Sequence, residues 1–243
     1  MWIAEGRPVA TVIGDVVGSR RADDRGAMHA ALRRAIDRVN ASGRTLSPLH
    51  ITLGDEFQGI FADVPTAVAA MVALRLELLE DTDTRYGLGW GPVQNLEPSG
   101  AVQDGPGWWA ARAAIEASAA AALRRRSGTV RAGFSDVAQP GGTPYVDAGG
   151  TPLSGLVTAS LRTLDELFAA LSDLDVRLIR GTADGLTQTQ LAAAEGITQS
   201  AVSQRLARNG AWSLLGAYES LGGPLGTRSS VVDPSAAAPR APE

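Results

Sequence analysis

Two aspartates sit where an apolar run gives way to small and polar residues. Asp15 lies in Val12-Ile-Gly-Asp-Val-Val-Gly-Ser-Arg20, and Asp55 in Leu53-Gly-Asp-Glu-Phe-Gln-Gly-Ile-Phe61. A strand that ends on a carboxylate holds it rigidly and still leaves it open to solvent. Two such carboxylates on neighbouring strands can clamp a divalent cation, Mg2+ or Mn2+, and backbone N–H groups around Gly18 and Ser19 can face a phosphate. This is the layout of a metal-dependent nucleotide site. Either aspartate alone reads as a turn residue, because Asp beside Gly is common in turns. The pair, each with its flanking pattern, points to a site.

The elements that must position these residues follow from the apolar pattern. Val9–Gly14 reads as a buried strand. From Asp24 to Ala41, Met28, Leu32, Ile36 and Val39 fall at helical spacing. Leu49–Leu53 and Glu56–Phe61 flank Gly54-Asp55, which predicts a β-hairpin with the aspartate at its tip. Pro65 opens a helix to about Glu80. Arg85–Val93 reads as a strand carrying three glycines, and Trp108–Leu123 is an alanine-rich helix. The Gly- and Pro-rich segment 136–153 reads as a linker. Only helices are expected beyond it, at about Ser154–Leu174, Val176–Ala183, Gln188–Glu195, Gln199–Arg208 and Ala211–Leu221. The last residues, 222–243, are rich in Pro, Ala and Ser and are expected to be disordered. The predicted division is therefore an α/β part (1–135), a linker and a helical part (154–221).

Composition narrows the chemistry. The 243 residues contain no cysteine, which removes disulfides, thiolate zinc sites and cysteine nucleophiles. All 22 basic residues are arginine, so a P-loop lysine and Schiff-base chemistry are excluded as well. A net charge of −4 argues against a surface coated with nucleic-acid contacts but leaves room for a local basic face. No apolar stretch approaches the roughly 20 residues of a membrane span, and no leader pattern is evident, so a cytoplasmic location is expected.

The helical part carries its own motif over 186–209. Ala192 is small enough for two helices to approach, Gly196 supplies a left-handed turn residue, and Ile197, Val202 and Leu206 form a shared core. Thr198 caps the second helix. That helix shows Gln199, Ser200, Ser203 and Gln204 on its exposed side, where side chains reach base edges, while Arg205 and Arg208 suit phosphates; Thr187 and Gln188, at the start of the first helix, join the DNA-binding set. The plain alternative is a helical hairpin used for packing or dimerisation. The combined placement matches a DNA-binding helix-turn-helix and is more specific than a hairpin requires. A lone unit of this kind reads DNA as a homodimer.

With these motifs in view, the first 135 residues resemble class III nucleotide cyclases. Asp15-Val-Val-Gly-Ser resembles their first metal-binding segment, and Gly54-Asp55 with Phe61 resembles the second, a hairpin that also looks like the Gly-Asp-Glu-Phe of diguanylate cyclases. Arg85-Tyr-Gly-Leu-Gly-Trp-Gly91 looks like the cyclase strand that follows, and Gly107-Trp-Trp-Ala-Ala-Arg112 like the start of the helix bearing the transition-state Asn and Arg. The whole chain, helix-turn-helix included, is similar to the bacterial SatD family. The resemblance implies an α+β, ferredoxin-like fold of βααββαβ type, an antiparallel sheet with helices on one face, followed by an all-α domain. It also implies metal ligation by Asp15, Asp55 and the Val16 carbonyl, and phosphate contacts from Val17, Gly18, Ser19, Arg20 and Arg112.

Two positions depart from the cyclase pattern. Trp108 stands where the Asn is expected, and Ile51 where the purine-selecting Lys is expected. Arg112 also has an ordinary helical partner in Glu116. Three readings remain. The first is a DNA-binding regulator whose cyclase-like domain senses a nucleoside triphosphate, or a cyclic or modified nucleotide, with its metal. The second is a metal-dependent nucleotidyl cyclase or nucleotidyltransferase using Arg112, with the helices as an accessory. The third is a dimerisation scaffold.

Overall fold

The central strand β1 (Pro8–Val16) is buried along almost its whole length, with Val9, Ala10, Thr11, Val12 and Ile13 all covered. Burial on both faces is what an unbroken apolar run specifies. The computed structural model describes residues 6–19, 24–97, 102–124, 126–136, 143–208 and 210–224. The expectations for Arg20 and for the tail beyond residue 224 lie outside the described residues.

After β1 come α1 (Arg25–Ala41), β2 (Thr45–Leu53), β3 (Glu56–Phe61), α2 (Val64–Leu78) and β4 (Thr84–Pro92). Asp24 and Asp63 cap the two helices, each accepting from a backbone N–H three residues on, as N-cap aspartates do. A small hairpin, β5 (Gln94–Asn95) and β6 (Gln103–Asp104), leads into α3 (Pro106–Ala122) and β7 (Ala132–Ser135). The main sheet runs β2-β3-β1-β4-β7; β1 pairs antiparallel with β3 and β4, and β7 pairs parallel with β4. The first six elements thus form a mixed α+β core of βαββαβ order, with a single described helix between β1 and β2 where the βααββαβ expectation has two.

The helices do not share one face, and the sheet is not wholly antiparallel. One face buries Ala10, Val12, Phe57, Tyr86 and Leu88 together with α1 and α2. The other buries Val9, Ile13 and Ile60 against Trp108, Ala111 and Ile115 of α3. Glycine is what brings α3 onto that second face. A Cβ on Gly87 would stand 2.1 Å from the Ala111 carbonyl oxygen, and one on Gly89 would stand 2.3 Å from that of Gly107. With hydrogen at these positions, helix backbone lies directly on strand backbone. The Thr11 hydroxyl donates to the Gly107 carbonyl at 2.7 Å and fixes the start of the helix.

The described part of 136–153 is tied down. Asp136 is buried and its Oδ2 accepts from the Tyr145 amide at 2.9 Å and from the Ser154 hydroxyl at 2.5 Å. The Tyr145 ring lies edge-on to both Trp90 and Phe134. Five helices follow, α4 (Ser154–Ala169), α5 (Asp173–Ala183), α6 (Gln188–Glu195), α7 (Gln199–Arg208) and α8 (Ala211–Ser220). The expected 154–174 helix stops early because Ser172 and Asp175 form a reciprocal cap that starts a new helix.

Helix α4 docks on the sheet edge through one buried carboxylate. Asp165 accepts from Arg75 of α2 at 2.6 Å and from the backbone amides of Arg131 and Ala132 at 2.8 and 3.1 Å. The Arg75 guanidinium also lies 4.2 Å from the centre of the Phe168 ring.

Candidate functional site

The central strand β1 carries Asp15 near its C-terminal end, next to the β2–β3 turn. Leu53 pairs with Glu56, so Gly54 and Asp55 are the two central residues of a tight hairpin. Gly54 has φ 65°, the left-handed value that such a turn demands and that glycine adopts without strain. Asp15, Asp55 and Glu56 consequently line one open cleft with Val16, Gly18, Ser19 and Leu53. The two aspartates singled out from sequence spacing do converge on one cleft.

The electrostatics of the cleft are unbalanced. Arg85, paired with Asp15 across β1 and β4, donates Nη1 to Asp15 Oδ2 at 3.2 Å. The other oxygen, Oδ1, is buried without a hydrogen-bond partner. Burial raises the Asp15 carboxyl above its usual range, Arg85 draws it back, and the charges of Asp55 and Glu56 raise it again. A buried carboxylate oxygen without a donor is expensive, and a cation beside it removes the penalty.

Among the described residues no three His, Asp or Glu side chains are grouped closely enough to enclose a metal ion. Two carboxylates still suit Mg2+, which keeps several waters and takes its remaining ligands from phosphates and isolated oxygens. The donor set therefore fits a divalent cation that keeps several waters better than a resident metal cage.

The other predicted site residues fall into different roles. Val16, Gly18 and Ser19 line the cleft, but the Val17 amide donates to the Asp83 carbonyl at 2.8 Å and is not open to a phosphate. Arg112 reaches over from α3 and grips Glu56 through two bonds of 2.8 and 2.7 Å, a bidentate pair. That pairing raises the Arg112 guanidinium above its usual range. Among the described residues its expected helical partner, Glu116, acts on it through charge alone, without a hydrogen bond or salt bridge. Trp108 is buried in the α3-side core, whereas Trp109 is partly exposed and donates Nε1 to Asp104 at 2.8 Å. Ile51 is half-buried against the α1–α2 side of the core.

Sequence spacing missed two partners, Arg85 and Glu56's hold on Arg112. Arg85 is legible only once the β1–β4 register is known. The Glu56–Arg112 pair depends on how α3 lies across the sheet.

In the helical part, Thr187 caps α6 reciprocally with Gln190, and Gly196 ends it at φ 66°. The Thr198 hydroxyl accepts from the Ala201 amide at 3.1 Å at the head of α7. Gln199, Ser200, Ser203, Gln204 and Arg208 are exposed, and Gln199 donates to Gln188 at 2.6 Å. Arg205, its side chain 42% exposed, pairs with Asp175 at 3.1 Å.

The stretch from β1 to the end of α3 holds every residue of the cleft. Residues 9–121 match the SatD family. No curated protein matches the chain. Solved structures similar to part of it include nucleotide cyclase domains. The guanylyl cyclase domain of the RhoGC fusion protein from the aquatic fungus Blastocladiella emersonii is 21% identical, covering 46% of this chain and 75% of that one at a TM-score of 0.37. The catalytic core of a rhodopsin-guanylyl cyclase with converted specificity, in complex with ATPαS, is 20% identical over 46% and 73% at 0.37. The adenylyl cyclase CyaB from P. aeruginosa is 13% identical over 43% and 69% at 0.32. At these TM-scores the likeness bears on no individual residue of the SatD-matching stretch. Among the described residues no helix is long and apolar enough to cross a membrane.

Proposed function

We propose that this chain is a bacterial regulator whose acidic cleft takes a nucleotide together with Mg2+ or Mn2+. Helices α6 and α7 then act as a helix-turn-helix that reads DNA, in a cytoplasmic homodimer. The observation that carries the reading is the convergence of Asp15 and Asp55 on one cleft, with one Asp15 oxygen buried and unpartnered. Asp15 and Asp55 would hold the cation, which when bound would neutralise phosphate charge. Gly18 and Ser19 line the same cleft, and their backbone N–H groups would face phosphate oxygens. The exposed Gln199, Ser200, Ser203, Gln204 and Arg208 offer the side chains that contact base edges and phosphates in such helix pairs.

The same geometry disfavours turnover. Trp108 sits in the core where a cyclase would use a polar donor, and Arg112 is occupied by Glu56. The cleft therefore suits retention of a nucleotide more than its cyclisation.

Calorimetric titration of each triphosphate with Mn2+ tests the cleft. Saturable binding that disappears in Asp15→Ala and Asp55→Ala is expected. Binding that survives both variants, or pyrophosphate release that both abolish, would move the assignment elsewhere. Selection of bound fragments from genomic DNA, with and without the nucleotide, tests the second half. Recovery of no enriched site under either condition removes the regulatory reading.

A further inference from the structure

Away from the cleft, a half-enclosed cavity of about 220 Å3 lies between α1 and α2 on one side and α5 and α8 on the other. Its floor is apolar, formed by Val39, Phe61, Ala69, Ala70 and Ala73. Close-packed interiors leave few voids of this size, and the run of alanines on α2 is what opens it.

The polar rim is unevenly paired. Arg38 bonds Asp184 at 2.5 Å and lies 3.2 Å from Glu77, and Arg180 lies 3.0 Å from Glu80. Arg44 has no carboxylate partner among the described residues. It donates a weak 3.4 Å bond to the Thr66 hydroxyl. Tyr218, from α8, lines the same cavity with only 7% of its surface exposed. Burial raises its hydroxyl above its usual range while the charge of Arg44 lowers it, so it stays protonated and able to donate at neutral pH.

We propose that this cavity binds a small monocarboxylate with a short apolar body, its carboxylate held by the Arg44 guanidinium and the Tyr218 hydroxyl. The guanidinium fork matches a carboxylate, and the alanine floor matches a hydrocarbon chain or ring. A single unbalanced positive charge calls for a single negative one. Glu77 and Asp184 at the rim repel a dianion, which disfavours phosphate. The ligand would lie between the helices packed on the sheet and those that carry α6 and α7, and would strengthen that packing. The proposal is independent of the acidic cleft.

Calorimetry and thermal denaturation of the full chain with butanoate, hexanoate, benzoate and inorganic phosphate decide it. One saturable site for at least one carboxylate, with a rise in Tm of several degrees and no response to phosphate, is expected. Arg44→Ala should weaken that binding at least tenfold and Tyr218→Phe several-fold. Ala73→Leu, which only fills space, should abolish it, and serves as the readout should Arg44→Ala fail to fold. The proposal is overturned by the absence of saturable binding for all three carboxylates, by equal binding of phosphate, or by unchanged affinity in a folded Ala73→Leu protein.

Discussion

At Asp15, burial acts against the carboxylate charge more strongly than Arg85 acts in its favour. The native state therefore holds the Asp15 proton to higher pH than the unfolded chain does. Between about pH 4 and the raised native value, the unfolded chain binds fewer protons, so stability falls as pH rises. Asp15→Asn removes that charge. Without metal at pH 7 its Tm should lie about 1–3 °C above wild type, the scale of a sub-kcal/mol gain in a chain of this length. The Mn2+-dependent rise in Tm should vanish in the same variant. Differential scanning calorimetry with and without MnCl2 checks both, and a lower metal-free Tm would show that the Arg85 pair outweighs burial. Glu56 offers a second check. Glu56→Gln gives up one charge of a partly exposed ion pair, which affects stability by about 0.2–1 kcal/mol. It also frees the Arg112 guanidinium beside the cleft, so triphosphate affinity measured by calorimetry should rise several-fold. Unchanged affinity would make the pair purely structural.

Between strands and helices, the deciding contacts are backbone on backbone. Gly87→Ala places a methyl 2.1 Å from the Ala111 carbonyl, an atom that no rotamer change can move aside. Overpacking of this kind should destabilise by about 3 kcal/mol, at the upper end for inserted methyl groups, as read by urea denaturation. A loss below about 1 kcal/mol would mean that α3 slides freely on β4. Much of this level was legible beforehand. Alternating and continuous apolar runs located β1, β3, β4 and the helices, and Gly54-Asp55 announced its hairpin. Gly196 and Thr198 likewise bounded α6 and α7 where the structure has them. What local pattern does not carry is the side of the sheet to which a helix goes. The glycines of β4 mark a strand in the sequence, and their partner is the backbone of α3. Strand β7 is four residues long, too short for any periodicity, and pairs with β4 from about 45 positions away. Asp165 left a trace that went unread: it shares the apolar stripe of α4 with Leu161, Leu164 and Phe168, where a charge needs a partner.

For the molecule as a whole, Asp165 is a buried junction between the two parts. Burial pushes its carboxyl above the usual range, and Arg75 with the amides of Arg131 and Ala132 oppose that push. Removing one partner strands the other, so Arg75→Ala or Asp165→Ala should each destabilise by about 3–5 kcal/mol. The double replacement Arg75→Met with Asp165→Leu should recover most of the loss, because an apolar pair of similar volume leaves no orphaned charge. A double-mutant cycle in urea measures this, and additive losses would show that the two residues act separately. The consequence reaches into how such chains can change over generations. A carboxylate supplied by the helical half finishes the hydrogen bonding at the sheet edge of the other half. The halves cannot then be traded as cassettes between relatives, since a swapped partner arrives without the matching charge. Inheritance at this seam has to proceed in pairs.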